Sequence, residues 1–230
     1  MQIARLLFSQ GFGARRECEG LVAAGRVRVG GVVVDDPFAD TEATEIEVDG
    51  RAWPVRAKAL VMLHKPAGYE CSQKPRHHPS VMSLLPAPLQ RRGVQPVGRL
   101  DVDTTGLLLL TDDGALIHRL TSPKHHVPKV YEVTVKHPLD ERQLQALHDG
   151  VVLDDHPKPV RAAAAEATGA HTLRLVLTEG KYHQVKRMLA AAGNRVEALH
   201  RSAFGALTLG GLAPSHWAWV DPAALTAPQG

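Results

Sequence analysis

Four consecutive leucines occupy positions 107–110, near the middle of the chain, directly after the turn-forming sequence Thr-Thr-Gly. An uninterrupted apolar run that is bounded by turn residues predicts a buried β-strand. A buried strand is rigid, so it anchors the loop in front of it. That loop, PVGRLDVDTTG at residues 96–106, has the character of a functional site rather than of scaffold.

The loop presents one acidic side chain, Asp101, between Gly98 and the Thr-Thr-Gly turn. A carboxylate on a rigid edge can take part in chemistry, but aspartates also cap turns by bonding to their own backbone. Arg99 precedes it by two residues, so in an extended segment both side chains leave the loop on the same side. Asp103 is a second acid that can serve as the cap. Asp101 is therefore the candidate catalytic residue, with turn capping as the alternative.

A calcium-binding loop is a second interpretation of the same segment. Asp101, Asp103, Thr105 and Asp112 stand at spacings similar to those of EF-hand ligands. The last ligand of that motif is a glutamate, and the motif lies between two helices, whereas here four leucines occupy its second half as a strand. The pattern therefore argues against calcium, and no metal is expected.

The chain has 230 residues, 44% of them hydrophobic, which is enough for a core in one large or two small domains. Its two cysteines, Cys18 and Cys71, are far apart and lack C-x-x-C spacing, which argues against a zinc site and a disulfide framework. No apolar stretch is long enough for a signal peptide or a membrane span. We expect a soluble protein of the cytoplasm.

Charge is unevenly distributed, although the net charge is only +3. Residues 1–34 carry five arginines and two glutamates, and residues 35–50 carry seven acids and no base. A protein that binds a polyanion needs one positive face, which a near-neutral total can hide. The thirteen histidines lack metal-ligand spacing on a helix face, so we expect them at the surface or in supporting hydrogen bonds.

The first part of the chain predicts two helices followed by a hairpin. Apolar residues recur at helical spacing in residues 3–7 and 14–24, and valines flank a Gly-Gly pair at 30–31. This order resembles the S4 RNA-binding domain, with a solvated basic face as the alternative. The resemblance implies four phosphate contacts, since guanidinium groups match phosphate oxygens bidentately. These are Arg15, Arg16, Arg26 and Arg28.

The domain division follows from the next segments. The acidic stretch at 35–49 is expected to point away from RNA, because carboxylates repel phosphates. Residues 51–58 include a proline and predict an extended linker. We therefore place an RNA-binding domain with its linker at residues 1–58 and a catalytic domain at residues 59–230. Within the second domain, residues 71–92 show no clean periodicity and predict a long loop.

Three further segments supply candidate site residues. A short apolar strand leads into the turn KPAGY, which begins with Lys65. Alternating apolar residues predict a strand in which Tyr131 faces inward. The sequence GKYHQVKRM predicts a turn that enters a helix, with Lys186 and Arg187 near its start, where cations oppose the helix dipole. A core tyrosine and a solvated helix start are the structural alternatives.

The motifs GRLD followed by TTGL, KPAGY and GKYHQVKRM together resemble those of pseudouridine synthases, and residues 97–129 resemble the branch that modifies small-subunit ribosomal RNA. The similarity extends over nearly the whole chain. It implies an α+β fold, in which an S4-like domain precedes a catalytic domain built on a mixed, mainly antiparallel sheet flanked by helices. It also implies a reaction without a cofactor, because uracil is detached from ribose, turned and rejoined through C5.

The resemblance assigns roles by motif position. Asp101 is the catalytic aspartate, acting as nucleophile or as base, and Tyr131 stacks on the target uracil. Lys186 pairs with the aspartate at a position that is an arginine in other branches. Lys65 and Tyr69 support the loop that carries the aspartate. Further RNA contacts are expected from Arg99, Lys65 and Arg187.

The expected partner is 16S ribosomal RNA or a small-subunit assembly intermediate, with one uridine as target. Action on 23S ribosomal RNA is one alternative, and a non-catalytic RNA-binding or ribosome-assembly protein is another. The joint presence of Asp101, Tyr131 and Lys186 favours the enzyme, because a pure binder does not need all three. We expect a monomer, since no long apolar patch requires a partner.

Overall fold

A computed structural model describes residues 1–225 and divides the chain into two compact units. The first comprises Met1–Ala59 together with Leu85–Gln95, and the second comprises the remaining residues. The first break lies next to the predicted boundary at residue 58, whereas the sequence places 85–95 in the catalytic domain. That segment belongs to the first unit because Leu89 is fully buried and Arg92 donates hydrogen bonds to backbone carbonyls in residues 56–57.

The first unit contains three helices and a four-stranded sheet. The helices are α1 (Ile3–Gln10), α2 (Arg15–Ala23) and α3 (Ala87–Arg91), and the strands are β1 (Val27–Val29), β2 (Val32–Val33), β3 (Glu45–Val48) and β4 (Arg51–Pro54). The predicted helix–helix–hairpin order is confirmed. Gly30 and Gly31 form the hairpin turn with positive φ angles of 57° and 80°, which glycine adopts without steric cost.

One sequence expectation for this unit is wrong. Residues 51–54 are not a linker, because β4 pairs with β3 and completes the strand order β2-β1-β3-β4. Two residues of the acidic stretch lie against arginines that were predicted to bind RNA. Strand β3 pairs with β1, which brings Asp49 to Arg26 and Glu47 to Arg28.

The second unit is larger and carries most of the strands. Its helices are α4 (Gly114–Thr121), α5 (Glu141–Asp149) and α6 (Gln184–Ala191). The short strand β6 (Gln95–Pro96) contains one residue of each unit. The remaining strands belong to the second unit and are β5 (Leu60–Lys65), β7 (Thr105–Thr111), β8 (Lys129–Val135), β9 (Val151–Leu153), β10 (His156–Val160), β11 (Ala164–Gly169), β12 (Thr172–Leu177), β13 (Val196–Phe204), β14 (Leu207–Thr208) and β15 (Trp217–Trp219). Short 3-10 helices cover Val81–Leu84, Pro123–His125 and Pro222–Leu225.

Within residues 1–225, nine strands form the main sheet, and seven of them follow the order β11-β12-β8-β13-β7-β5-β15. The other two are β14, which pairs with β13, and β6, which pairs with β7. Strand β13 runs parallel to β7, and the other neighbours along this path are antiparallel. The predicted mixed, mainly antiparallel sheet with flanking helices is confirmed. The four leucines at 107–110 lie in β7 near the middle of this sheet and are fully buried, as their sequence predicts.

Helices pack against the sheet in two clusters of buried residues. One cluster joins α5 and α6 to β8, β12 and β13, and Leu147, Leu175 and Met188 are fully buried in it. The other joins α4 to β5 and β7 through Leu116 and Leu109. These layers fix the start of β7 and the start of α6, the two places that carry the candidate site. Within residues 1–225, the helices are all too short to cross a bilayer.

Gly106 at the start of β7 is required by close backbone packing. Its φ is +111°, and a Cβ atom there would lie 2.2 Å from the carbonyl oxygen of Arg201. Gly106 and Arg201 are register partners in the parallel β7–β13 pair, and the buried Arg201 donates from Nε to the Leu107 carbonyl at 2.8 Å. Only glycine permits this approach, which locks the end of the Asp101 loop onto the sheet.

Candidate active site

The Asp101 loop ends in a tight turn at the entrance to β7. The Thr104 amide donates to the Asp101 carbonyl at 3.1 Å, so the carboxylate leaves the chain just before the rigid strand begins. The side chain of Asp101 is 25% exposed, which shields it partly from water but leaves it open to a ligand.

Lys186 contacts the carboxylate of Asp101. It lies in the first turn of α6, and its Nζ is 3.2 Å from Oδ2 of Asp101. The same ammonium lies 2.7 and 2.9 Å from the two carboxylate oxygens of Asp103. The structure thus brings the predicted pair together and adds a second acid to it.

The shared ion pair shifts the pKa of two of its members. Partial burial acts to lower the pKa of Lys186, but the hydrogen bonds and negative charges of Asp103 and Asp101 outweigh it and leave that pKa raised. Burial acts to raise the pKa of Asp103, but the ammonium of Lys186 outweighs it and leaves that pKa lowered. Both shifts favour the charged forms of lysine and carboxylate at neutral pH.

His183 is a site residue that the sequence interpretation missed. Its Nε2 lies 3.3 Å from Oδ1 of Asp101, whereas the 3.2 Å contact of Lys186 is with Oδ2. The residue stands just before α6 with φ 46° and ψ 36°, a left-handed conformation that is uncommon for histidine. Its position three residues before Lys186 was the available signal, since one turn at a helix start can direct both side chains to one target.

Lys65 supports the Asp101 loop through hydrogen bonds to its backbone and is not an RNA contact. It is completely buried, and its Nζ donates to the carbonyls of Pro66, Val102 and Thr104 at 3.0, 3.2 and 2.7 Å. Burial lowers the pKa of Lys65. All three N–H donors of the ammonium group bond to backbone carbonyls, and the side chain has no exposed surface. The predicted contact of Lys65 with RNA is therefore contradicted, whereas its predicted support of the loop is present.

Tyr69 does not share that support through hydrogen bonding. Its side chain is half-buried and forms no hydrogen bond with the part of the chain at residues 1–225. Instead, the backbone of the same turn contributes, because the Gly68 amide donates to the Val102 carbonyl at 2.8 Å.

Tyr131 lies in β8 at the level of the Asp101 loop. Its register partner in β13 is Arg201, and the partner of Arg201 in β7 is Gly106. The three residues form a row across the sheet, in which neighbouring strands are about 4.8 Å apart, so the Tyr131 backbone lies roughly 10 Å from that of Gly106. The half-buried ring packs against the cluster that includes α6. Tyr131 and Lys186 are thus placed on the same side of the sheet.

The other two predicted RNA contacts of this unit differ in availability. Arg99 is exposed and makes no hydrogen bond or ion pair with residues 1–225. Arg187 is engaged, because its guanidinium forms an ion pair with Asp155 and donates to the Tyr182 carbonyl at 3.1 Å. The ion pair raises the pKa of Arg187.

The four arginines of the first unit divide in the same way. Arg15 and Arg16 are exposed at the start of α2, and the Arg15 guanidinium lies 5.7 Å from the centroid of the Phe8 ring. Arg26 is held by Asp49 through two hydrogen bonds of 2.7 Å, and Arg28 donates to the Gly31 carbonyl at 3.0 Å. Arg15 and Arg16 are therefore the more available pair for a polyanion.

The calcium interpretation fails on geometry. Residues 105–111 form the central strand β7, so the helix-flanked loop that an EF-hand requires is absent from this segment. Lys186 also occupies the carboxylates of Asp101 and Asp103. Among residues 1–225, no cluster of three or more His, Cys, Asp or Glu side chains is arranged to hold a metal ion.

Comparison with known proteins gives concordant matches. Residues 59–191 match the family described as RNA pseudouridylate synthase, and residues 1–37 match the S4 domain. A ribosomal small subunit pseudouridine synthase A from Yersinia pestis is 47% identical over 148 residues, which span 64% of this chain and 63% of that protein. An uncharacterized RNA pseudouridine synthase from Bacillus subtilis is 38% identical over 223 residues, 94% of this chain and 93% of the relative. A crystal structure of a pseudouridylate synthase has a TM-score of 0.69 and 31% identity, with 98% of each chain covered.

Proposed function

Because this chain belongs to the RNA pseudouridylate synthase family, we propose that it isomerises one specific uridine of small-subunit ribosomal RNA to pseudouridine. The choice of RNA rests on the similarity to the synthase from Yersinia pestis and to a second ribosomal small subunit pseudouridine synthase A, from Pasteurella multocida, which is 43% identical over 74% of this chain and 73% of that protein. Ribosomal RNA as substrate fits an enzyme of the cytoplasm.

The observation that carries the proposal is the setting of Asp101. Its carboxylate stands at the edge of a buried strand, with Lys186 at one oxygen and His183 at the other. Fixed partners of this kind orient a reacting group before the substrate arrives, and such preorganisation is a major part of enzymatic rate enhancement. The ammonium of Lys186 also offsets the carboxylate charge as a ribose approaches.

The reaction rearranges one nucleoside without a net gain or loss of atoms. The bond between uracil N1 and ribose C1′ breaks, the base turns, and a bond forms between C5 and C1′. The C5 proton is then lost and N1 gains a proton, so no oxidant, reductant or energy source is consumed. Asp101 serves either as the nucleophile at C1′ or as the base that removes a ribose proton, and Tyr131 stacks on the uracil while it turns.

The target base has to leave its helix before Asp101 can reach the sugar. Enzymes that act on a base inside folded RNA evert the nucleotide, which costs a few kcal/mol of stacking and pairing. Arg99 is exposed two residues before Asp101. We assign it to the vacated space or to a flanking phosphate, because an arginine without a partner among residues 1–225 can bind either.

The S4-like unit supplies RNA affinity. Arg15 and Arg16 stand at the start of α2, where the backbone amides and the helix dipole also favour a phosphate. Phosphate contacts fix the position of a protein on RNA without reading sequence, so the choice of uridine falls to the catalytic unit.

The direct test is the substitution Asp101→Asn, which keeps the shape of the side chain and removes its charge. Transcripts of small-subunit and large-subunit ribosomal RNA are incubated with each protein, and pseudouridine is mapped by carbodiimide labelling and primer extension. We expect the unchanged protein to modify one uridine of the small-subunit transcript. We expect Asp101→Asn to form no detectable product while its RNA affinity stays within about threefold.

Three outcomes would contradict the proposal. Modification of the large-subunit transcript alone would reject small-subunit ribosomal RNA as the substrate. Equal turnover by Asp101→Asn and the unchanged protein would reject Asp101 as the catalytic residue. Failure of the unchanged protein to modify free RNA and assembly intermediates would instead favour a non-catalytic RNA-binding role. The same position should be unmodified in ribosomal RNA from cells that lack this gene.

A further inference from the structure

Tyr182 is exposed at the edge of the candidate active site. Its side chain is 72% exposed, the largest value among the exposed large hydrophobic residues in the described chain. One face of its ring stacks on the imidazole of His183, with a centroid distance of 3.8 Å and an angle of 20° between the planes. Since His183 covers one face and the side chain is mostly exposed, the opposite face of the ring is open.

The backbone around this aromatic pair is held in place. Arg187 donates to the Tyr182 carbonyl and is itself anchored by Asp155. On the other side, the Lys181 amide donates to Oε1 of Gln184 at 2.7 Å. The exposed ring therefore stands on a fixed turn, and little conformational entropy is lost when a ligand stacks on it.

His183 connects this ring to the reacting carboxylate. Its imidazole stacks on Tyr182, and its Nε2 contacts Asp101. The three groups follow one another in space as the open face of Tyr182, the imidazole of His183 and the carboxylate of Asp101. A planar group on Tyr182 would thus lie one ring beyond the residue that contacts Asp101.

We propose that Tyr182 is a stacking platform for an unpaired RNA base next to the everted uridine, an inference that rests on the proposed function. Eversion of one nucleotide deprives its neighbour of a stacking partner, and aromatic side chains replace such partners for any base. A lipid or an apolar peptide would require a wider apolar surface than one ring.

The experiment uses the full chain with Asp101→Asn, so that RNA binds without turnover. A fragment of small-subunit ribosomal RNA that contains the mapped target uridine carries 2-aminopurine in place of each neighbouring base in turn. Stacking on an aromatic ring quenches 2-aminopurine fluorescence. We expect quenching at one neighbour, its loss in Tyr182→Leu, and about tenfold weaker RNA binding by that variant. Tyr182→Phe keeps the ring and should keep both signals.

Phe38 offers a matched control for exposed aromatic surface, because its side chain is 60% exposed and belongs to the first unit. Phe38→Leu should leave the quenching unchanged. The inference would be overturned if Tyr182→Leu showed the same quenching and RNA affinity as the protein with native Tyr182. It would also be overturned if Tyr182→Phe lost both the quenching and the RNA affinity. Tyr182→Gln, a polar substitution at this exposed position, must repeat the effect of Tyr182→Leu.

The two proposals fail separately. If the protein with native Asp101 forms no pseudouridine, the proposed function is rejected whatever Tyr182 does. If it forms pseudouridine, and Tyr182→Leu changes neither KM nor kcat nor the quenching, only the stacking platform is rejected. Support requires a raised KM in Tyr182→Leu that Tyr182→Phe restores.

Discussion

The ammonium group of Lys186 lies closer to Asp103 than to Asp101, at 2.7 Å against 3.2 Å. Asp103 is much the more exposed of the two acids, with 72% of its side chain accessible. The lysine therefore bridges a solvated carboxylate and a shielded one. In this arrangement Asp103 holds the ammonium in position, and the carboxylate of Asp101, with its side chain 25% exposed, remains accessible to the substrate.

Removal of the ammonium should impair the chemical step. We expect Lys186→Met to lower the single-turnover rate of pseudouridine formation by about 100-fold, the order seen when one charge-stabilising group is removed from an active site. Lys186→Arg should retain most of the rate, because it preserves the positive charge and its planar donors match a carboxylate. Rates measured at saturating enzyme test this, and equal rates for Lys186→Met and the unchanged protein would contradict it.

Asp103→Asn is the matched comparison for Lys186→Met. It removes one exposed partner of the lysine but leaves the contact with Asp101. An exposed ion pair contributes about 0–1 kcal/mol, so we expect a rate loss of no more than about fivefold. A loss as large as that of Lys186→Met would assign Asp103 a direct part in the reaction. The measurement is the same single-turnover assay.

The ion pair also predicts how stability depends on pH. The lowered native pKa of Asp103 means that its stabilising effect is present above its unfolded pKa, about 3.9, and is lost as the pH falls through the native value. The raised pKa of Lys186 works in the opposite direction, with its effect present below about 10.5 and lost at higher pH.

Thermal melts of the unchanged protein and Asp103→Asn from about pH 6 to about pH 3 test this dependence. The Tm difference should favour the unchanged protein at the upper end and become smaller toward the lower end. It should be small, since exposed pairs contribute little. Asp35→Asn removes the same charge from an exposed acid in the first unit and serves as the control. A difference that grows on acidification would contradict the prediction.

Close packing at Gly106 makes this position intolerant of a side chain. We expect Gly106→Ala to lower the free energy of unfolding by at least about 2 kcal/mol, because a methyl group would overlap the Arg201 carbonyl and φ is positive. Gly114→Ala is the control. Gly114 begins α4 with open space around its Cα, so alanine should be neutral or stabilise by about 0.5 kcal/mol. Urea unfolding measures both.

The parts of the fold that were predictable from sequence are those specified by local patterns. The Gly-Gly turn at 30–31 determines its hairpin, and four leucines determine β7. Strand β4 was missed because a short segment with a proline has no local strand signal, and its strand pairing comes from β3. The helix α3 was missed for a related reason, since its five residues are defined by tertiary packing of Leu89.

The candidate site shows the same limit. The contact of Lys186 with Asp101 was expected from motif resemblance, which reflects the fold of a whole family. His183 was not expected, because its contact depends on a left-handed backbone conformation that its spacing to Lys186 alone does not predict. Lys65 was expected both as loop support and as an RNA contact. Its complete burial decides between the two, and burial of a lysine at a turn is set by the surrounding fold.

Lys65 should therefore matter for stability as well as for activity. Lys65→Met keeps the length of the side chain and removes one donor from each of three backbone carbonyls. The Val102 carbonyl keeps the Gly68 amide as a donor, and those of Pro66 and Thr104 lose the ammonium contact. Each unsatisfied buried group costs about 1–3 kcal/mol before relaxation, and we expect a net loss of about 2–4 kcal/mol in the free energy of unfolding. Two of those carbonyls belong to Val102 and Thr104, beside Asp101, so the isomerisation rate should also fall. The measurements are urea unfolding and single-turnover kinetics at a temperature where the variant is folded. Lys136→Met, at an exposed lysine of the same unit, should change neither quantity, and native stability of Lys65→Met would refute this structural role.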